Sequence, residues 1–353
     1  MRYARRMRWF GGLAAIAAII AACSTFDTTK DDSPPGTNDG GAADASAEGS
    51  VGSDAGDAGG DGGGKGGRTV AVLAKDQNGI TDVAADESYV YWGVDVPGYI
   101  RRVKLDRSAK AEDLEPYGGA PTRIHVDGTF IVWGDQQTAA MGLYRDVLQG
   151  GNKVRFYGAS VNDFAVADDG TIAILTASDG YVRRTGPDGG IVTPDLGPYA
   201  TPLDVIAVGN EFVWTGSGEE TVWRLPSDGG APTIFAQPEP DCQRLAKNDE
   251  GVYWTRTTDA LVRRRPASGG PAVDVATGQP SAYGLSADAD GVYWLTTAGD
   301  VQKWTSTTNA VETIASGQPI QDDANRRFRT NGLVLTSRYV VWTTNTDVRR
   351  VEK

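Results

Sequence analysis

A tryptophan preceded by tyrosine or valine recurs along this chain at intervals close to forty residues. It stands at Trp92, Trp133, Trp214, Trp254, Trp294 and Trp342. The intervals are 41, 81, 40, 40 and 48 residues, and the interval of 81 is a double step with Ile174 near its middle. A strand-like repeat of about 40 residues is typical of a β-propeller blade. We therefore predict an all-β, seven-bladed β-propeller of four-stranded antiparallel blades.

The order of residues inside one repeat agrees with this prediction. Small residues (83–85) form a first strand, a polar turn follows, and residues 89–93 and 99–105 form the next two strands. Small residues suit the crowded axis of a propeller. The tryptophan lies on the second strand, where neighbouring sheets pack face to face, and each tryptophan buries roughly 150–250 Å². The six tryptophans are therefore predicted to form the core between blades.

A second series of equivalent residues lies on the third strand and is basic in every repeat. It consists of Arg102, Arg145, Arg184, Arg224, Arg264, Lys303 and Arg350. One interpretation is a site for a polyanion. The interpretation that we favour is structural, because residues spread around a ring do not converge and are free to pair with acids of their own blades.

The two ends of the repeat region complete each other. The last repeat stops one strand short, and residues 68–76, RTVAVLAKD, resemble the missing outer strand. We predict that this N-terminal strand joins the C-terminal blade and closes the ring, because closure removes free strand edges. The propeller domain is thus assigned to residues 68–353.

The first 23 residues are typical of a secretory signal. Four arginines precede an apolar run at residues 11–22, which is shorter than the roughly 20 apolar residues of a membrane span. Ile20 to Cys23 read IAAC, which resembles the bacterial lipobox, so the resemblance implies cleavage before Cys23 and lipidation of its thiol. Ser24 favours an outer-membrane lipoprotein facing the periplasm or the cell surface. The alternative is an ordinary signal with a chance cysteine.

Residues 24–67 are rich in Gly, Asp and Ala and have almost no large apolar residues. They contain nine acids against Lys30 and Lys65, a net charge of −7. Such a segment buries too little surface to offset the entropy of ordering. We predict a disordered acidic tether, and we favour this over calcium binding because the regular nonapeptide repeat of that class is lacking.

The repeat itself is similar to a known family. The motif VYWT, followed by VxRxP and GG, resembles the YWTD-type repeat of low-density-lipoprotein-receptor propellers across residues 68–353. The Asp that should follow YWT is mostly replaced, by Val94, Gly216, Arg256, Thr296 and Thr344, and Asp135 alone matches. Seven blades depart from that family's usual six, so receptor function is not carried over. The layout also looks like surface lipoproteins of myxobacteria-like genomes.

Two sets of residues are candidates for binding. The start of the inner strands should form the mouth of the axial channel, with the candidate set Asp82, Arg123, Asp163, Asp204 and Arg244. These charges suit a zwitterionic or polar ligand, or they pair with one another. The longest interval between repeats adds a loop at residues 318–331, with the candidate binding residues Asp322, Asp323, Arg326, Arg327 and Arg329. Long loops on rigid scaffolds often carry binding.

The sequence favours a binding role over catalysis. His125 is the single histidine and Cys242 the single thiol beyond Cys23, so a catalytic set of several His residues is excluded. A net charge of −12 argues against a nucleic-acid partner. We expect no cofactor, a monomeric chain, attachment to the membrane through the lipid, and a protein or envelope polymer as partner. The alternative is a metal-dependent hydrolase or lyase that holds a divalent ion with channel acids.

Overall fold

The computed structural model describes residues 68–353 except for 78, 97, 117–118, 137–140, 149–150, 177–178, 188, 191–194, 200, 217, 320–331 and 345. The described residues form 27 antiparallel strands in seven small sheets and no helix. No described segment therefore provides a helix that is apolar and long enough to cross a bilayer. The predicted signal and tether, residues 1–67, lie outside the described residues.

The seven sheets follow one another along the chain as blades 1 to 7. Blade 1 has β2 (Ile80–Ala85), β3 (Tyr89–Val94), β4 (Tyr99–Lys104) and β5 (Glu112–Pro116). Blade 2 has β6 (Pro121–Val126), β7 (Phe130–Asp135), β8 (Gly142–Val147) and β9 (Val154–Tyr157). Blade 3 has β10 (Asp163–Val166), β11 (Ile172–Leu175) and β12 (Val182–Thr185).

The remaining blades repeat the same order. Blade 4 has β13 (Pro202–Val208), β14 (Glu211–Gly216), β15 (Val222–Pro226) and β16 (Thr233–Ala236). Blade 5 has β17 (Cys242–Asn248), β18 (Gly251–Arg256), β19 (Leu261–Pro266) and β20 (Val273–Ala276). Blade 6 has β21 (Gly284–Asp288), β22 (Gly291–Leu295), β23 (Val301–Thr305) and β24 (Ala310–Ala315). Blade 7 has β25 (Leu333–Leu335), β26 (Tyr339–Thr343), β27 (Val348–Glu352) and β1 (Ala71–Ala74).

These sheets confirm the predicted seven-bladed, all-β propeller. Six described sheets have four strands, and blade 3 has three. An isolated bridge between Val182 and Leu196 stands where the fourth strand of blade 3 would lie. Blade 3, which lacks the repeated tryptophan, is therefore also the least regular blade in the described chain.

The strand that closes the ring comes from the N-terminal side of the domain, as predicted. β1 pairs antiparallel with β27, with Ala71 opposite Arg350 and Val72 opposite Arg349. The strand itself is shorter than the predicted segment 68–76. Blade 7 is thus built from both ends of the repeat region.

An aspartate shapes the hairpin between the first and second strands in several blades. Asp86 Oδ1 accepts hydrogen bonds from the backbone N–H groups of Ser88 and Tyr89, each at 2.7 Å. Asp127 makes the equivalent pair of bonds in blade 2. Such Asx turns explain why Asp recurs at this position.

Seven clusters of buried apolar residues lie between successive blades. Trp133 of blade 2 packs with Tyr91 and Ile100 of blade 1, and Trp342 of blade 7 packs with Tyr293 of blade 6. All six repeated tryptophans are at most 1% exposed. In blade 3, Ile174 takes the same place against blade 2. The repeat therefore persists because each blade supplies one large residue to the surface of the blade before it.

Candidate functional site

The predicted channel residues occupy one equivalent position on the inner strands. In five blades it is filled by Asp82, Arg123, Asp163, Asp204 and Arg244, and in the last two by Gly284 and Gly332. In blade 3 the ring residue is Asp163, although Phe164 has the sequence spacing of the other ring residues. Phe164 pairs with Ile174, ten residues on, whereas Val83 pairs with Trp92, nine residues on. The first hairpin of blade 3 is one residue longer than that of blade 1, so the ring residue of blade 3 lies one position earlier in the sequence.

The three aspartates of this ring connect neighbouring blades. Each aspartate accepts, through Oδ2, a hydrogen bond from a backbone N–H in the next blade. The donor is the residue that directly follows the ring residue of that blade. The pairs are Asp82 with Ile124 at 2.8 Å, Asp163 with Val205 at 2.8 Å, and Asp204 with Leu245 at 2.6 Å. Asp82, Asp163 and Asp204 are at most 4% exposed, so these carboxylates act inside the ring and not at an open mouth.

The two arginines of the ring complete a buried cluster of mixed charge. Arg123 Nε lies 3.2 Å from Asp163 Oδ1, and Arg244 Nε donates to the carbonyl oxygen of Tyr283 at 3.1 Å. Burial lowers the pKa of the Arg123 guanidinium, but attraction to Asp163, Asp82 and Asp204 outweighs it, so that pKa is raised. Burial lowers the pKa of Arg244. The interpretation in which these charges pair with one another is the one that the geometry favours.

Burial dominates the titration of the acids in this cluster. It raises the pKa of Asp163 well above its usual range; Arg123 opposes the rise and the adjacent Asp204 adds to it. Burial also raises the pKa of Asp82, against the attraction of Arg123. Within the described ranges, no group of three or more His, Cys, Asp or Glu side chains has the arrangement of a metal site. The three hydrogen bonds between blades suit the cluster to holding the ring together.

An open cavity lies at the opposite end of the inner strands, where each strand turns into the second strand. We call it the hairpin-end cavity. It has a volume of about 490 Å³ and is lined by inner strands of blades 1, 2, 6 and 7. Val83, Ile124 and Val334 form part of its walls, and Arg123 reaches into it from the ring.

The rim of the hairpin-end cavity is charged. Glu87 and Asp288 contribute carboxylates, and the Lys353 ammonium forms an ion pair with Asp288. Glu87 accepts hydrogen bonds from the backbone N–H and the hydroxyl of Ser337. The hydroxyl bond in particular lowers the pKa of Glu87, so this exposed carboxylate stays ionised at neutral pH.

His125 lies in the wall between ring and rim. Its side chain is exposed to solvent within the cavity. Burial among the inner strands lowers the pKa of its imidazole, which Asp127 opposes. A neutral imidazole both donates and accepts a hydrogen bond.

Sequence analysis did not identify the rim residues Glu87, Asp288 and Lys353 as candidates. Asp288 Oδ1 does accept from the backbone N–H of Asp290 at 2.9 Å, as a turn residue would. The sequence does not indicate which end of the axial channel is open to solvent. Equivalent positions in the repeats identify residues at one level of the axis. They do not show at which level the side chains close the channel.

The basic series on the third strand makes contacts within its own blades and with the next blade; Arg102, for example, also donates to the Leu148 carbonyl oxygen of blade 2 at 3.0 Å. Arg102 pairs with Glu112 and stacks over Tyr89, with 4.8 Å from the guanidinium carbon to the ring centre. Arg264 pairs with Glu250 at 3.1 Å. Arg350 lies 4.0 Å over the ring of Tyr339. These contacts match the structural interpretation of the series and leave no convergent cationic patch among these residues.

The other candidates divide between buried and undescribed positions. Cys242 is 1% exposed and packs in the apolar cluster between blades 4 and 5, and burial raises the pKa of its thiol. The candidate loop residues Asp322, Asp323, Arg326, Arg327 and Arg329 lie outside the described residues, as does Cys23. Their predicted roles remain predictions.

Comparison with known proteins identifies the fold alone. No family model matches the chain, and no curated protein matches it. A virginiamycin B lyase from Staphylococcus aureus, solved with quinupristin, superposes with a TM-score of 0.64 at 14% identity, covering 81% of this chain and 99% of that chain. The WD40 β-propeller domain of Doa1 gives 0.63 at 14% identity, covering 80% and 97%.

A chain in a nidogen/laminin complex gives a TM-score of 0.51 at 14% identity, covering 69% of this chain and 95% of that chain. These structures have different roles, and identities this low carry no function across. The β-propeller part of the family resemblance is confirmed.

Proposed function

We propose that this chain is a lipid-anchored β-propeller of the cell envelope with a non-enzymatic binding or scaffolding role towards a protein or an envelope polymer. The observation that carries the proposal is the use of the axial charges. Asp82, Asp163 and Asp204 each hold the backbone of another blade. The polar groups at the axis thus support a rigid ring whose faces and loops are left to bind.

The anchor is the first part of the proposal to test. The chain has two cysteines, Cys23 and Cys242, which provide a matched pair of variants. We expect a bacterial host fed radiolabelled palmitate to label the wild type and Cys242→Ala but not Cys23→Ala. Equal labelling of Cys23→Ala, or no labelling of the wild type, would remove the anchor from the proposal.

The binding role is tested by crosslinking the full chain in intact envelopes. We expect a defined crosslinked species that is lost when Arg326, Arg327 and Arg329 are all replaced by Ala. The control replaces three exposed basic residues of the propeller, Arg107, Lys110 and Lys247. Loss of the species in the control variant alone would contradict the assignment of the loop.

The alternative function is a hydrolase or lyase with a divalent ion held by Asp82, Asp163 and Asp204. One observation favours it: Asp82 Oδ1 is buried and has no hydrogen-bond partner among the described residues. Elemental analysis of the purified full chain distinguishes the two functions. One bound divalent ion per chain that disappears in Asp82→Asn would replace the binding role with the metal-dependent one.

A further inference from the structure

The hairpin-end cavity has a mixed lining in which polar surface exceeds apolar surface, with charges at two depths. Arg123 lies at its floor, and Glu87 and Asp288 lie at its rim. Its volume of about 490 Å³ falls in the range of small-ligand sites, roughly 300–1,000 Å³. In such sites, a few polar groups fix the orientation of the ligand.

The floor suits an anion. The described residues give Arg123 Nε a partner in Asp163, 3.2 Å away. The side chain of Arg123 is 20% exposed and lines the cavity. The exposed part of the Arg123 guanidinium faces the cavity, and a guanidinium binds a carboxylate through paired hydrogen bonds.

The rim suits a cation. Its two carboxylates, Glu87 and Asp288, face one ammonium, that of Lys353, which pairs with Asp288. Glu87 is exposed and its bonds come from Ser337, a neutral residue. The Lys353 ammonium attracts Glu87 as well but pairs with Asp288, so the ammonium group of a ligand would balance the second carboxylate of the rim.

The distance between floor and rim sets the length of the ligand. Asp82 and Arg123 occupy equivalent positions, and Glu87 comes five residues after Asp82. β2 ends at Ala85 and Glu87 lies in the turn that follows, so the ring level and the end of the strand are three residues apart, or roughly 10 Å at about 3.3 Å per residue. A ligand that meets both charges therefore spans on the order of 10 Å. An extended chain spans at most about 3.6 Å per residue, so three or four residues fit.

We propose that the hairpin-end cavity binds short linear peptides of about three or four residues, with the free amino group at Glu87 and the free carboxylate at Arg123. His125 lies between them, where its exposed imidazole is placed to hydrogen-bond the peptide backbone. This inference rests on the proposed binding role and names a ligand class for it.

The first test is calorimetric titration of the purified full chain with trialanine, N-acetyl-trialanine and trialanine amide. We expect the free peptide to bind and each blocked peptide to bind about ten-fold more weakly or worse, which corresponds to one lost charge contact. Equal affinities for all three peptides, or no binding of trialanine and tetra-alanine, would overturn the proposal.

Two variants assign the ends of the peptide. In Glu87→Gln, the free and the N-acetylated peptide should bind equally, while the amide remains weaker. Glu87 is exposed, so this variant is expected to fold. Discrimination against the N-acetylated peptide that survives in Glu87→Gln contradicts the assignment of the amino end.

Arg123→Gln should abolish the preference for a free carboxylate, with Arg244→Gln as its matched control. Arg244 occupies the same ring position, is 3% exposed, and does not line the cavity. Equal loss in both variants would overturn the role of Arg123. The wider proposal is tested separately, because palmitate labelling and envelope crosslinking do not depend on peptide binding.

Discussion

Asp82 of blade 1 accepts a hydrogen bond at 2.8 Å from the backbone N–H of Ile124 in blade 2. The bond joins two inner strands across a blade boundary, and Asp163 and Asp204 make equivalent bonds further round the ring. Apolar packing between blades is not directional, whereas these bonds fix how far one blade is displaced along the axis against the next.

Replacing Asp82 with Ala should destabilise the chain by about 1–3 kcal/mol, because the buried N–H of Ile124 loses its acceptor. Asp82→Asn keeps an acceptor oxygen and should cost less. Urea unfolding measures both. Asp249→Ala, at an exposed turn, is the control and should leave the midpoint unchanged. Equal midpoints for Asp82→Ala and the control would remove the proposed role of the bond.

Trp214→Ala should destabilise the chain by about 3–5 kcal/mol, the usual cost of emptying a large buried site. Trp214 is fully buried against blade 3. Trp223 stacks on it in the same blade, 6.1 Å between ring centres, but is only half-buried. Trp223→Ala should therefore cost clearly less. A larger destabilisation by Trp223→Ala than by Trp214→Ala in thermal unfolding would contradict the assignment of the repeated tryptophans to the core.

Deleting residues 70–76 from the full chain should remove cooperative unfolding and cause aggregation. The deletion removes β1 and exposes the edge of β27 to other chains. Circular dichroism during heating and light scattering report the two effects. Deleting seven residues from 50–56 is the control. A sharp native transition in the chain that lacks β1 would show that closure is dispensable.

The pH dependence of stability should carry the signature of Asp163. Its pKa is raised by burial, so the folded state binds this proton more tightly than the unfolded state does. The associated stability is present below the ordinary Asp pKa of about 4 and is lost as pH rises through the folded pKa. Asp204, Arg123 and the Val205 N–H face this carboxyl, and Arg123 limits the rise.

Asp163→Asn cannot titrate, so the stability of the wild type relative to this variant should fall between pH 4 and the folded pKa. Urea unfolding from pH 4 to pH 8 measures the difference. Glu87 and Asp179, whose pKa values are lowered, contribute the opposite slope to both proteins. A difference that is constant with pH, or that grows as pH rises, would contradict a raised pKa of Asp163 in the folded state.

The fold was predictable because it depends on a repeated requirement. Every blade needs one large residue against the blade before it, so the tryptophans report the blade count directly, and Ile174 shows that volume alone suffices in blade 3. Closure by β1 was predictable because the last repeat lacks a strand that the segment before the first repeat resembles.

The candidate site was predictable only in part. Register placed Asp82, Arg123 and Asp204 at one level, but their burial depends on how tightly seven strands meet at the axis. The pairing of Lys353 with Asp288 joins residues 65 apart in sequence, and no periodicity signals it. Local patterns thus locate a level of the channel, and only the closed ring decides which end of it admits a ligand.

The shared sheet of blade 7 has a mechanical consequence. Residue 68 continues into β1, which is held along one edge by β27, with three registered residue pairs. Any tension that reaches the domain from the preceding segment is applied first to this strand. The closing strand is therefore the element that bears load, and its separation from β27 is the first step by which a pulled ring would open.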